Sequence, residues 1–386
     1  MLLCRQIANK TTKSIIEKIR LIIKVSGGMD AEKLFDLNQN VEGILIYNGT
    51  ESSNDPSFFY FTQLARGLFE GSYVFVTRKN LKVITSQLEE EAARSEDLDV
   101  EVFTSGKQRD DLLKQVTKGI TFVGINFSGL SHTDYLSLKE KLPNKEFVDV
   151  GESISSLRQI KSERELTKLR EAAKIVSKVG EAIPNMLKDG MTENELAALV
   201  NYEMMKNGAS SPSFDTIAAF GPDAAEPHFS GGKRKLKKGE VVLVDFGAKF
   251  QRYCSDMTRT YFFGKPDKEM QEMYETVFKA QEAGFKAIKS GENGKVVDGA
   301  SRKVIDSSRF KGRFIHGLGH GLGLNVHDHP ALSPQGDFYL KENMVVTVEP
   351  GVYISKKGGV RIEDDVIVTK NGAEIITSAP RDLQIV

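Results

Sequence analysis

The sequence predicts an α+β domain preceded by a separate α/β domain. Three observations carry this. Residues 29–150 alternate short β-branched runs with helical stretches. Two capping boxes, at Ser162 and Thr192, then open amphipathic helices. From Phe214 onward, strand-type runs with polar punctuation dominate, with one long helical pattern among them. The length of 386 residues suits two domains. The boundaries read from the pattern are 29–155 and 156–386.

Taken in order, residues 1–28 form an extension that we expect to lie outside the first domain. Ile15, Ile16, Ile19, Leu21, Ile22 and Ile23 are interrupted by Glu17, Lys18 and Arg20, so a short amphipathic helix is expected there and not a signal-peptide core. Met29 resembles a natural start. Candidate strands follow at Gly43–Tyr47, Tyr73–Thr77, Lys82–Thr85, Val100–Phe103, Thr121–Ile125 and Phe147–Val150. Helices are expected over Ser86–Arg94 and Asp134–Lys141. No catalytic constellation is evident in this half, and His132 reads as a surface histidine.

A hinge is expected near 151–160. Ser162 with Glu165, and Thr192 with Glu195, place a hydroxyl at the N-cap and a glutamate three residues on. Leu166, Leu169, Ala173, Val176 and Val179 recur at helical spacing, with Gly190 as the expected stop. Glu240–Phe246 is a β-forming run with Asp245 near its end. Lys249–Phe263 carries Asp256 among β-type residues, and Asp267–Ser290 reads as a helix. Met344–Glu349 and Val366–Thr369 complete the strands.

Composition narrows the function. Lys+Arg and Asp+Glu number 53 each, which argues against nucleic-acid binding through global charge. No apolar run is long enough to span a bilayer. The two cysteines, Cys4 and Cys254, cannot build a disulfide framework, which favours a reducing, cytoplasmic location.

Four of the six histidines fall within His316–His329, among glycines. Histidine titrates near neutrality and is the commonest metal ligand. Three carboxylates, Asp245, Glu349 and Glu363, sit on or beside apolar strand runs, and Asp256 lies eleven residues after Asp245. Buried carboxylates are costly unless paired or bound to metal. Four of them with the His320 imidazole suit a pair of divalent ions, which can hold a bridging hydroxide as nucleophile. Singly, each residue has a structural explanation: a strand-closing turn for Asp245, a turn flank for Glu349, pairing with Arg361 for Glu363, packing for His320. Their joint occurrence is what points to a site.

The stretch His316–Asp328 resembles the proline-peptidase signature of the pita-bread-fold metallopeptidases, a family that includes Xaa-Pro dipeptidases, Xaa-Pro aminopeptidases and methionine aminopeptidases. Residues 29–150 resemble, more loosely, the creatinase-type N-terminal domain. The resemblance implies hydrolysis of Xaa-Pro bonds in proline-containing di- or oligopeptides, two divalent ions (Mn, Co or Zn) and a homodimer. It implies metal ligation by Asp245, Asp256, His320, Glu349 and Glu363, with Asp256 and Glu363 bridging. Glu349 would also shuttle the proton, His327 would stabilise the oxyanion, and His228 would contact substrate near the scissile bond. His316, Arg361 and Tyr353 would bind substrate, and Thr258 would support the ligands from behind. His329 departs from the usual pattern and is expected at the rim or in a structural role. Cys254 alternates with Asp256 and is expected to face the same side as an inert thiol. A methionine-aminopeptidase-like exopeptidase and a non-catalytic peptide-binding module on the same fold are the alternatives.

Overall fold

The computed structural model describes residues 31–50 and 53–386. The expected extension over 1–28 lies outside them. The chain divides between Arg158 and Gln159 into two compact units.

The first unit opens with α1 (Ala31–Leu37), β1 (Gly43–Asn48), α2 (Pro56–Thr62), β2 (Ser72–Val76) and β3 (Leu81–Ser86). It continues with α3 (Glu90–Ala93), β4 (Asp99–Phe103), α4 (Gly106–Val116), β5 (Phe122–Ile125), α5 (His132–Lys141), β6 (Glu146–Asp149) and α6 (Gly151–Gln159). Six strands form one mixed sheet in the order β4-β3-β2-β1-β5-β6. Leu113 of α4 and Leu138 of α5 pack with Leu45, Tyr73, Phe75 and Ile84 of the sheet. This is the α/β domain expected, with two differences. The helix expected over Ser86–Arg94 is a 3-10 turn, Gln87–Glu89, followed by the short α3. The expected hinge is helical, because α6 occupies it.

The second unit begins with α7 (Glu163–Met186) and α8 (Glu193–Lys206), both closed by reciprocal capping boxes at Ser162/Glu165 and Thr192/Glu195. The first of these ends four residues before Gly190. Pro184 lies in its last turn, and proline has no N–H to offer the carbonyl of Gly180. Tyr261 Oη supplies the missing donor at 2.9 Å. Gly190 instead takes φ 75° in the following turn, a conformation that favours glycine.

Then come β7 (Ser211–Pro212), β8 (Ile217–Phe220), β9 (Glu240–Phe246), β10 (Ala248–Phe250), β11 (Tyr253–Cys254) and β12 (Met257–Phe263). They are followed by α9 (Lys268–Ala287), α10 (Gly294–Asp306), β13 (Gly319–Gly321), β14 (Asp328–Leu332), β15 (Val345–Val348) and β16 (Gly351–Ile354). The chain closes with β17 (Gly358–Arg361), β18 (Asp364–Val368), β19 (Ala373–Ile375) and β20 (Gln384–Ile385). The strands form sheets β20-β12-β9-β8, β14-β13-β15-β18-β19 and β11-β10-β7, plus the hairpin β16-β17. All their pairings are antiparallel except β12 with β20, giving the α+β architecture.

The apolar run in β9 has a physical reason, since the strand is buried on both faces. Val242, Val244 and Phe246 join the core under α7 and α8. Val241 and Leu243 join the core under α9 and α10. Strand alternation puts Asp245 on the Val241–Leu243 face. The helix α10 was not anticipated. Its Ser301 Oγ donates to the carbonyl of Ala280 at 2.8 Å, and Gly284 leaves no room for a Cβ beside that hydroxyl. The buried residues of α10, Gly294, Val297, Asp298, Ser301 and Ile305, recur at helical spacing, but three of the five are small or polar and so give little apolar signal. Among the described residues, no helix is long and apolar enough to cross a membrane.

The N-terminus of α8 clamps the loop that carries His228. Glu193 Oε1 accepts from Phe220 N–H at 2.8 Å, while Asn194 exchanges two hydrogen bonds with Gly232. Glu193 is buried, and burial first, with Asp223 nearby, raises its carboxyl from 4.5 to about 7. The folded state then binds more protons than the unfolded one between those values. The stability this supplies is fully present below pH 4.5 and is lost as pH rises through 7. Glu193→Gln keeps an acceptor for Phe220 without titrating. We expect it to unfold at higher urea than the parent at pH 8, by about 1–3 kcal/mol, and to match it near pH 5. Parallel pH curves for the two proteins would defeat this assignment.

Candidate metal centre

The site starts from the antiparallel pair β9 and β12. Their register sets Asp245 opposite Thr258. Asp256 lies just before β12 and not within a continuous strand as expected. The chain breaks there because Asp256 N–H donates to Asp365 Oδ2, at 2.9 Å, instead of to a ladder. The break also undoes the expected alternation with Cys254. That thiol packs with Leu166, Leu169 and Tyr253, away from the cavity, and burial pushes it up to about 11.

His320 enters from β13. Its flanking glycines are required by space: a Cβ on Gly319 would lie 2.0 Å from the Thr347 carbonyl oxygen, and one on Gly321 would lie 2.3 Å from that of His329. His320 Nδ1 is 3.1 Å from the Gly321 carbonyl, which can only accept, so Nδ1 carries the proton and Nε2 keeps its lone pair. That Nε2 lies 3.6 Å from Asp256 Oδ2 and 3.4 Å from Glu349 Oε1. Glu349 follows β15, its N–H held by the Leu318 carbonyl at 2.8 Å. Glu363 sits between β17 and β18, its N–H on the Thr258 carbonyl at 3.1 Å. Ligand atoms of Asp256, His320 and Glu363 all lie within 4.8 Å of one another.

Supporting side chains fix the carboxylates. Thr258 Oγ1 donates to Glu363 Oε2 at 2.6 Å and accepts from Arg361 Nε at 3.0 Å. Arg361 also donates to Asp245 Oδ2 at 2.6 Å and to Tyr353 Oη at 2.9 Å. Thr347 Oγ1 accepts from His320 N–H and donates to Glu349 Oε1 at 3.2 Å. Thr347 and Asp365 escaped the sequence reading. The available signal for Thr347 is its place two residues before Glu349, on the same strand face.

The electrostatics require a counter-charge. Burial and the neighbouring carboxylates hold Asp256 and Glu363 well above the usual carboxylate range, and burial raises Glu349 to about 7. Asp245 Oδ1 and Asp256 Oδ1 are buried without any hydrogen-bond partner. A carboxylate cluster with unclaimed, inward oxygens and an imidazole lone pair fits divalent cations.

These groups line a cavity of about 340 Å³. His228 and His327 are exposed on its wall, and the His327 ring centroid is 4.4 Å from that of His320. His316 lines it too. Its Nδ1 is 2.8 Å from the Gly317 carbonyl and its Nε2 is 2.9 Å from Tyr353 Oη. The proton is therefore on Nδ1, and burial lowers this imidazole to about 4. Tyr353 departs from expectation: it is buried and does not line the cavity, because its hydroxyl relays between Arg361 and His316. Arg361 lines the cavity but is committed to Asp245. His329 is exposed on β14 and is not part of the cavity wall, while His132 is exposed on α5.

The sequence pattern of metallopeptidase family M24 matches residues 167–370, and that of the creatinase/prolidase N-terminal domain matches residues 38–160. A Pyrococcus horikoshii protein described as an Xaa-Pro dipeptidase is 36% identical over 354 residues, 90% of this chain and 99% of that one. The crystal structure of an X-Pro aminopeptidase from Thermotoga maritima superposes with a TM-score of 0.87 at 32% identity, covering 93% of this chain and all of the other. That of the prolidase from Pyrococcus horikoshii gives 0.83 at 35% identity, covering 92% and 99%. Matched over both of its units, and with a cavity lined by an acidic cluster and histidines in the second, the chain belongs to metallopeptidase family M24 and has the pita-bread fold.

Proposed function

We propose that this peptidase hydrolyses Xaa-Pro bonds, with two divalent ions (Mn, Co or Zn) held by Asp245, Asp256, His320, Glu349 and Glu363. The observation that carries the reading is the convergence of four carboxylates and one imidazole lone pair in a histidine-walled cavity. When bound, the ions would acidify a water and polarise the scissile carbonyl. The protein's own groups do the rest. Glu349, at the cavity wall, takes the proton of the attacking water and returns it to the proline nitrogen. His327 donates to the developing oxyanion. His228 orients the scissile bond, while His316 offers a ring face to the proline. A bond to proline has no N–H for a general peptidase to grip, so a dedicated proton donor at that nitrogen is needed.

In this reading Thr258 holds two partners at once, one a ligand and one the arginine behind another ligand. Thr258→Val keeps the shape and removes the hydroxyl. Metal affinity or kcat should fall roughly 10–100-fold, as for other groups that orient metal ligands. Unchanged metal titration and turnover would remove Thr258 from the site's support.

The two-cysteine composition favours a cytoplasmic location, and homodimerisation is part of the same family reading. The deciding experiment loads the purified protein with Mn, Co or Zn and assays Xaa-Pro dipeptides, Xaa-Pro-Yaa tripeptides and Met-Ala-type peptides. Cleavage after Xaa before proline is expected. Cleavage of the methionine peptides alone, or tight peptide binding without turnover in metal-replete protein, would replace the proposal with one of its rivals.

A further inference from the structure

We propose that the cavity selects substrates whose proline carbonyl is uncharged, so that peptides continuing beyond the proline are hydrolysed in preference to free Xaa-Pro dipeptides. This rests on the Xaa-Pro reading above and adds which Xaa-Pro compounds are used.

In a free dipeptide, the proline carboxyl carbon is two bonds from the scissile nitrogen, about 2.5 Å away by covalent geometry. The negative charge must therefore enter the cavity beside the reacting bond. A buried carboxylate requires a cation or several N–H donors. Arg361 is the one lysine or arginine on the cavity wall among the described residues. Its Nε serves Thr258, its two NH1 hydrogens serve Tyr353 and Pro227, and NH2 serves Asp245. Four of its five donors are thereby engaged, and its charge is matched by Asp245.

The histidines do not fill the gap. Both nitrogens of His316 are used, by Gly317 and Tyr353. His320 gives its Nδ1–H to the Gly321 carbonyl and turns its Nε2 lone pair toward Asp256 and Glu349. His327 and His228, in the Xaa-Pro reading, serve the oxyanion and the scissile bond. Apart from the acidic cluster, the histidines and Arg361, the wall is uncharged: Phe214, Ile217, Pro227, Ala331 and Ser333, with Gly317 and Gly319. Ser333 lies against Gly317, next to His316. Its hydroxyl can satisfy a neutral amide carbonyl with one hydrogen bond, but it cannot neutralise a carboxylate.

The test uses the metal-loaded, full-length protein and three compounds of one series: Ala-Pro, Ala-Pro-NH2 and Ala-Pro-Gly. The amide differs from the dipeptide in charge and hardly in size. We expect kcat/KM at least tenfold higher for the amide and the tripeptide than for the dipeptide. Ser333→Arg supplies the missing cation and should narrow the gap by raising dipeptide turnover; Ala331→Lys serves the same purpose should the first variant not fold. A dipeptide cleaved as well as its amide, or an acid-to-amide ratio unmoved in a folded variant, overturns the inference and leaves the Xaa-Pro reading intact. Cleavage of none of the three overturns that reading and this inference with it.

Discussion

Asp256→Asn is expected to lower kcat by roughly 10³-fold or more, the equivalent of several kcal/mol of lost charge stabilisation. The substitution keeps the shape and the backbone N–H bond to Asp365, while removing a charge and one of two carboxylate oxygens. Asp256 Oδ2 faces His320 Nε2, and Oδ1 has no partner in the protein. Both oxygens are thus directed at cations in the proposed arrangement, and an amide can offer only one. Metal content at equilibrium should fall with activity. Stability should not fall in the metal-free protein. Burial and the neighbouring Glu363 and Asp245 already force this carboxyl toward neutrality there, so a neutral amide relieves repulsion. The metal-free variant should then melt no earlier than the metal-free parent. This pairing of outcomes separates lost ligation from misfolding. Near-normal turnover at full metal content would refute the bridging role.

The positions proposed as ligands were legible because charges at the ends of apolar strand runs are locally anomalous. Asp245, Glu349 and Glu363 each stand out against their neighbours, and His320 stands out by its glycines. Supporting groups are not anomalous in that way. Thr347 is an ordinary strand residue until Glu349 and His320 fold onto its hydroxyl. Asp365 looks like a solvated aspartate, yet it is buried and holds a residue 109 positions away. The same long-range bond breaks the strand at Asp256, which no local pattern could reveal. Arg361 and Tyr353 were expected to bind substrate only from the family resemblance, and their partners were not foreseen. A guanidinium near carboxylates can bind substrate or neutralise a ligand, and only geometry distinguishes the two. The helix α10 was missed although its buried residues Gly294, Val297, Asp298, Ser301 and Ile305 recur at helical spacing, because only Val297 and Ile305 among them are large and apolar.

Arg259 was equally silent in the sequence, and its removal should produce a large loss of stability. It follows Thr258 on β12 and is almost fully buried, as is its partner Asp364. Its NH2 reaches Asp364 Oδ1 at 2.6 Å and the Ala379 carbonyl at 2.7 Å. Its NH1 reaches the Glu363 carbonyl at 2.6 Å and the Thr258 carbonyl at 3.0 Å, and its Nε the Pro380 carbonyl at 3.0 Å. Thr377 Oγ1 and Gln281 Nε2 also donate to Asp364, and Arg381 Nε lies 3.9 Å from its Oδ2. Arg259→Leu would leave that carboxylate with only the more distant Arg381 guanidinium as counter-charge, at a cost of about 3–5 kcal/mol. For a unit of this size the melting temperature should drop by roughly 6–20 °C. Lysine is a poor replacement, because one ammonium cannot reproduce a planar fork serving five acceptors. Adding Asp364→Leu to Arg259→Leu should restore part of the loss, since replacing both partners removes the uncompensated charge. A double variant as unstable as the sum of the single ones would show that packing volume, and not charge pairing, is what Arg259 supplies. The bond to the Glu363 carbonyl ties this stability to function: metal affinity should weaken in Arg259→Leu even below its melting temperature, because the backbone that aims Glu363 has lost its anchor.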